Sequence, residues 1–177
     1  LCEDIERRKI LLENLQDEEN RDGDHPKLWR NFAYAVGSSK EEIKSVKEEK
    51  FTTELIENFF KNGRASYAEG LASLYTYERQ IPEIAETKIQ GLKKFYGVSS
   101  KEGLEFFEVH KSADVVHRAE CEKLLDGLSK KEQEKAEKVG TDSAGSYQSD
   151  APRYLAALSG RTKPNNRRFR RQARACG

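Results

Sequence analysis

Apolar residues recur along this chain at intervals of three and four, and Pro, Gly and Ser-x-x-Glu patterns punctuate them. That spacing lines one face of an α-helix. Ile5, Leu11, Leu12 and Leu15 mark one face of a first helix running to about Glu18. Pro26, directly after His25, suits the opening turn of a second helix through Trp29, Phe32 and Val36, which stops at Gly37. Ser39 followed by Glu42 is a capping-box pattern that opens a third helix toward Phe60, with Asn62-Gly63 as its end. A fourth helix spans about Ser66 to Tyr96, with a kink or break at Pro82. Ser99 with Glu102 caps a fifth that reaches Leu128, and Ser129 with Glu132 opens a short sixth. No convincing alternating strand pattern occurs, so the predicted fold class is all-α.

After Gly140 the pattern changes. Thr141–Asp150 is rich in Ser, Gly and Asp and reads as a loop, and Ala151–Leu158 can form a short helix. Asp150 is its candidate N-cap, Pro152 fits the first turn and Gly160 supplies a stop. Tyr154, Leu155 and Leu158 would give it an apolar face, expected to pack near Ile5 to Ile10. The organisation read from the sequence is a helical domain over 1–140, a loop and short helix over 141–160, and a basic tail over 161–177.

Composition agrees with helices and narrows the function classes. The hydrophobic and charged fractions are both 36%, and only four prolines and twelve glycines interrupt 177 residues. No run of eighteen apolar residues exists, so no membrane span is expected. No signal-peptide pattern opens the sequence, which points to a cytoplasmic setting. The sequence starts at Leu1 and holds no methionine, so it reads as a fragment or a trimmed product. Cys2, Cys121 and Cys176 have neither disulfide-framework nor zinc-finger spacing and read as reduced thiols. The net charge of +1 conceals an asymmetry: residues 161–177 hold seven basic groups and no acid, leaving 25 basic and 31 acidic groups in 1–160. Nucleic acid is not the expected partner of that tail, because a short basic end is more often a solvated terminus.

The chemistry concentrates in the fifth helix. His110, Asp114 and His117 are spaced i, i+4 and i+7, which puts them within roughly 60° of one another on one face. Two imidazoles and a carboxylate on one stripe suit iron or another first-row metal. The plainer account is a polar helix face that happens to carry two histidines. Phe106, Phe107, Val109, Ala113 and Val116 surround the trio, however, so part of it must approach the core, where polar groups need partners. His25, the only other histidine, follows Glu18 by seven residues, and Tyr77-Glu78 interrupts an apolar stretch of the fourth helix. The Glu-x-x-His pair of a ferritin-like site is absent.

The stretch YAEGLASLYTYERQIPEIAETKIQGLKKFYG, followed by FFEVHKSADVVHRAECEKLL, resembles the haem-oxygenase-like group that includes TenA and PqqC. Within it the similarity is greatest to the CADD proteins, named for association with death domains. LLENLQDEEN and HPKLWRNFAYAVG fit the same pattern, so the resemblance covers about residues 5–138. It implies a haem-oxygenase-like helical bundle and a dinuclear centre with ligands in the order Glu, His, Glu, His, Asp, His. The matching positions are Glu18, His25, Glu78, His110, Asp114 and His117. It further implies two iron ions, or an iron/manganese pair, with dioxygen as co-substrate, and para-aminobenzoate formation for folate as the activity. The substrate would be a small molecule or the protein's own side chains, and the resemblance implies Tyr77 as a carrier of an oxidising equivalent and Lys88, which matches a lysine of the family pattern, as nitrogen donor. A homodimer is expected.

The resemblance also implies a helical segment before residue 1, and APRYLAALSGRT resembles the family segment that normally precedes RKILLENL. Two other functions remain open at this point: a metal-free TenA/PqqC-type enzyme acting on a heterocyclic small molecule, and a non-enzymatic helical interaction module.

Overall fold

A computed structural model describes residues 2–20 and 23–141 of the chain. Residues 1–140 form a compact unit of their own. The expectations for Ala151–Leu158 and for the basic tail lie outside the described residues. Among those residues every regular element is helical, as the periodicity predicts.

Helix α1 (Ile5–Glu19) starts where the Asp4 carboxylate accepts from the Glu6 and Arg7 amides. Helix α2 (His25–Ala35) is capped by Asp24, with Pro26 in its first turn. It ends at Gly37, whose φ of 99° is readily adopted only without a side chain. The Ser39–Glu42 capping box forms as expected, but it opens only α3 (Lys40–Ser45). The single third helix expected from Ser39 to Phe60 is therefore corrected to two. No residue of α3 is buried, so nothing holds its course past Val46, where the backbone turns extended, and α4 (Lys50–Ala65) starts afresh.

Asn62-Gly63 does not end α4 either. Asn62 is buried and its amide donates to Ser73 Oγ at 3.3 Å. A Cβ on Gly70 would lie 3.2 Å from Gly63 Cα, so the pair marks a close approach between two helix backbones. The chain instead turns at Ser66, which caps α5 (Tyr67–Glu78). After a two-residue turn at Arg79 and Gln80, α6 (Ile81–Tyr96) opens with Pro82 in its first turn, close to the predicted break. Gly97, at φ 67°, closes α6 while the Val98 amide donates back to the Leu92 carbonyl.

Helix α7 (Lys101–Asp126) is capped by Ser100 rather than the predicted Ser99, one residue on, because Ser100 Oγ is the atom that receives the Gly103 amide. A further helical stretch covers 130–141, opened by Ser129 and Glu132.

α7 is the axis of the bundle and packs on α1, α2, α5 and α6. Ala85, Ile89 and Phe107 pack together with Phe32 and Phe106, which joins α6 and α2 to one end of α7. Leu71, Cys121 and Leu124 join α5 to the other end, with Ile10 and Leu11 of α1 against them. Small residues on α5 (Ala68, Ala72) seat the 130–141 stretch through Ala136 and Val139.

The face of α1 is a second correction. Ile5, Leu12 and Leu15 are exposed among the described residues, and the buried side chain of this helix is Asn14. The inward stripe of α1 runs through Leu11, Asn14 and Glu18, so polar groups occupy positions that an apolar face would otherwise take. No described helix is long and apolar enough to cross a membrane.

Candidate metal centre

Four helices contribute to one buried polar cluster. The last turn of α1 brings Glu18, the first residue of α2 is His25, α5 ends in Glu78, and the middle of α7 carries His110, Asp114 and His117. Glu78, Asp114, His25 and His117 are each no more than 6% exposed. Ligand atoms of Glu18, His25 and His110 lie within 4.8 Å of one another. The same holds for Glu18, Asp114 and His117. The two groups share one carboxylate, that of Glu18.

Local contacts orient each donor. His25 Nδ1 and Glu18 Oε2 are 2.5 Å apart. His110 Nδ1 lies 2.6 Å from the Phe106 carbonyl oxygen, so it must carry the proton and leave Nε2 with the free lone pair. The His25 and His110 rings sit 4.3 Å apart between centroids. His117 Nε2 lies 3.1 Å from Asp17 Oδ2, and its Nδ1 lies 3.8 Å from Asp114 Oδ1. Glu78 Oε1 accepts from Asn14 Nδ2 at 3.0 Å, and Cys121 Sγ is 3.8 Å from Oε2.

The electrostatics of the cluster are those of crowded carboxylates. Burial pushes the Asp114 carboxyl up to about 7, with Glu78 and Glu18 adding to the rise and His117 opposing it. Glu78 is raised as well, again chiefly by burial, against the Asn14 amide and His117. His110 is lowered by burial, only partly offset by the Phe106 carbonyl. Burial also pushes the Cys121 thiol up to about 12, with Glu78 nearby.

These residues fit a metal. His117 Nε2 donates to Asp17, so the fully buried Nδ1 is left with a lone pair and no hydrogen-bond partner, an arrangement that costs free energy unless a cation meets it. A cation between the carboxylates would reverse the repulsion that raises Asp114 and Glu78. Three imidazoles and three carboxylates form a mixed N/O donor set suited to iron.

Five of the six predicted ligand positions fall in these two groups, and Glu78 belongs to neither, although its charge helps raise Asp114 and His117 acts to lower Glu78. Tyr77 and Lys88 are placed differently. Successive helix positions diverge by about 100°, so Tyr77 turns toward α4, where its ring meets Phe59 edge-on at 5.5 Å. Lys88 is half-buried and shares the inward stripe of α6 with Ala85 and Leu92. Glu86 pairs with Lys111 and Glu83 with Arg118, so α6 and α7 run antiparallel and Lys88 lies level with the His110 turn.

Three residues went unread in the sequence: Asp17, Asn14 and Cys121. Helical spacing does carry a signal for two of them, since Asn14 precedes Glu18 by one turn and Cys121 follows His117 by one turn.

A family profile described as iron-containing redox enzyme matches residues 2–167. The chain belongs to this family. The iron-containing redox enzyme assignment agrees with the haem-oxygenase-like resemblance read from the sequence and with the all-helical bundle. The chain is 39% identical over 135 residues to a protein named 4-aminobenzoate synthase from Chlamydia muridarum, covering 76% of this chain and 57% of that protein. It is equally similar to the protein of that name from Chlamydia trachomatis, covering 76% and 58%. A third, from Nitrosomonas europaea, is 40% identical over 116 residues, covering 64% and 47%. The chain thus spans about half the length of these relatives.

Proposed function

We propose that this chain carries a non-haem dinuclear centre, of two irons or of iron and manganese, and takes part in oxygen-dependent formation of 4-aminobenzoate. The observation that carries the reading is the double membership of Glu18, one carboxylate shared by two three-residue donor groups. A carboxylate in that position suits a bridge between two ions. His25 and His110 would hold one ion and Asp114 and His117 the other, with Glu78 beside the second. Metal held there would supply one-electron redox chemistry and dioxygen activation.

The protein's own part is positioning. His110 is locked in one tautomer by the Phe106 carbonyl. The Phe106 ring, 4.1 Å from the His110 ring and 4.8 Å from Trp29, packs against the first donor group. Lys88, on the inward stripe of α6, is the side chain we assign as nitrogen donor; Tyr77, whose ring turns toward α4, adjoins Glu78 in the chain, and on that adjacency we assign it as a carrier of an oxidising equivalent. The family and the name of its relatives support the reaction class. A metal-free enzyme would leave His117 Nδ1 buried without a partner, which disfavours that alternative.

The test is metal analysis of the purified full chain by ICP-MS, followed by exposure to oxygen and mass spectrometry of released 4-aminobenzoate. Protein made with nitrogen-15 lysine should release labelled product. Lys88→Arg should retain its metal and release none. Absence of any retained iron or manganese after anaerobic loading sinks the proposal.

A further inference from the structure

We propose that Asn14 and Cys121 are positioning residues that hold the Glu78 carboxylate between them and fix which of its lone pairs face the donor cluster. This rests on the reading of Glu78 as a metal ligand. Asn14 Nδ2 donates to Oε1 at 3.0 Å and Cys121 Sγ donates to Oε2 at 3.8 Å, so each oxygen has its own donor. Asn14, Glu78 and Cys121 are all buried, at 9%, 6% and 3% exposure.

Two features set this apart from ordinary core filling. Asn14 is the buried residue of α1, while Ile5, Leu12 and Leu15 of the same helix are exposed. Burying an amide in preference to leucines costs free energy unless its hydrogen bond is made. The positions are also related by helical geometry. Asn14 sits one turn before Glu18 on the stripe that α1 turns inward, and Cys121 one turn after His117 on that of α7. Both helices therefore extend their ligand stripes by one turn, and both extensions end on the same carboxylate of α5. A carboxylate on a flexible side chain can swing between one ion, two ions or none. With Oε1 held by an amide and Oε2 approached by a thiol, a swing of the Glu78 carboxylate would break both contacts. Groups of this kind orient metal ligands, and their loss weakens metal binding.

Cobalt(II) added to the chelator-treated full chain tests this, because its visible absorption bands report ligand geometry. The variants are Asn14→Leu, which removes the donor at similar size, Cys121→Ala, and Cys121→Ser, which restores an O–H donor. Glu18→Ala, which removes the carboxylate common to both donor groups, serves as the control that must lose most of the signal. Asn14→Leu and Cys121→Ala should bind cobalt about 10- to 100-fold more weakly than wild type, with shifted bands, and Cys121→Ser should recover both. Wild-type affinity and bands in both variants would overturn the proposal, even if their unfolding temperatures fell, because that pattern is core filling alone. If Asn14→Leu does not fold, the alanine and serine variants of Cys121 decide the matter between them. A wild-type protein that binds no cobalt fails the metal-centre reading itself, an outcome distinct from bound cobalt with unchanged bands in the variants.

Discussion

Glu18 Oε2 lies 2.5 Å from His25 Nδ1 and ties the last turn of α1 to the first residue of α2. The same carboxylate reaches Asp114 and His117 on α7. Its removal should therefore cost more metal than removal of a residue that serves one group.

Glu18→Ala is expected to lose most bound iron, whereas His110→Ala should keep a fraction held by Asp114, His117 and Glu18. Both should lose affinity by at least about ten-fold. Metal per chain by ICP-MS after equilibrium dialysis separates the two. Equal residual iron in the variants contradicts a shared bridge.

The pH dependence of the metal-free protein follows from Asp114, whose carboxyl is raised from an ordinary 3.8 to about 7. A raised group binds its proton more tightly when folded. Its contribution is therefore fully present below about pH 4 and is lost as pH rises through about 7. Each ten-fold gain in proton affinity corresponds to about 1.4 kcal/mol. Between about pH 5 and 8 the Tm of the metal-free protein should fall, and Asp114→Asn should flatten that slope. Metal uptake should strengthen over the same range, because it displaces the proton. Calorimetry at several pH values, with and without iron(II), is the measurement. A flat wild-type profile refutes the assignment.

Two glycines should respond oppositely to alanine. A Cβ on Gly103 would come within 2.6 Å of Val98 Cγ1 and 3.0 Å of Ala35 Cβ, so Gly103→Ala should destabilise by about 1–3 kcal/mol. Gly91, inside α6, has nothing within 4 Å of the position a methyl group would take, so Gly91→Ala should stabilise by about 0.5–1 kcal/mol. Urea midpoints of the two variants give the signs directly.

Capping offers a local check on α7. Ser100 Oγ receives the Gly103 amide at 3.1 Å, so Ser100→Ala should cost about 1 kcal/mol, while Ser99→Ala should change little. Comparison of their unfolding curves tests which serine is the cap.

The sequence exposed the helices well wherever a cap, a proline and an apolar stripe agreed, as at Asp24–Pro26 and across α7. It misled where one signal stood alone. The Ser39 capping box started a helix that had no buried face to prolong it, and Asn62-Gly63 looked like a terminator because its contact with Ser73 and Gly70 is tertiary. The donor cluster was legible from spacing only on α7. Glu18, His25 and Glu78 come from three other helices, and a family pattern, rather than periodicity, joined them to it. Asn14 and Cys121 lie one turn from ligand positions on their own helices, but their common partner Glu78, like the contact of Asp17 with His117, comes from another helix and appears only when the bundle closes.

The inward face of α1 has a consequence for the life of the protein in a cell. Ile10 and Leu11 apart, this helix is fastened through Arg7 to the Gly127 carbonyl, Asn14 to Glu78, Asp17 to His117 and Glu18 to His25. Three of these four fastenings end on residues of the donor cluster. A chain short of metal thus holds α1 largely by polar contacts to its reactive centre, where local opening would admit a protease, and turnover would sort empty chains from loaded ones without any dedicated sensor.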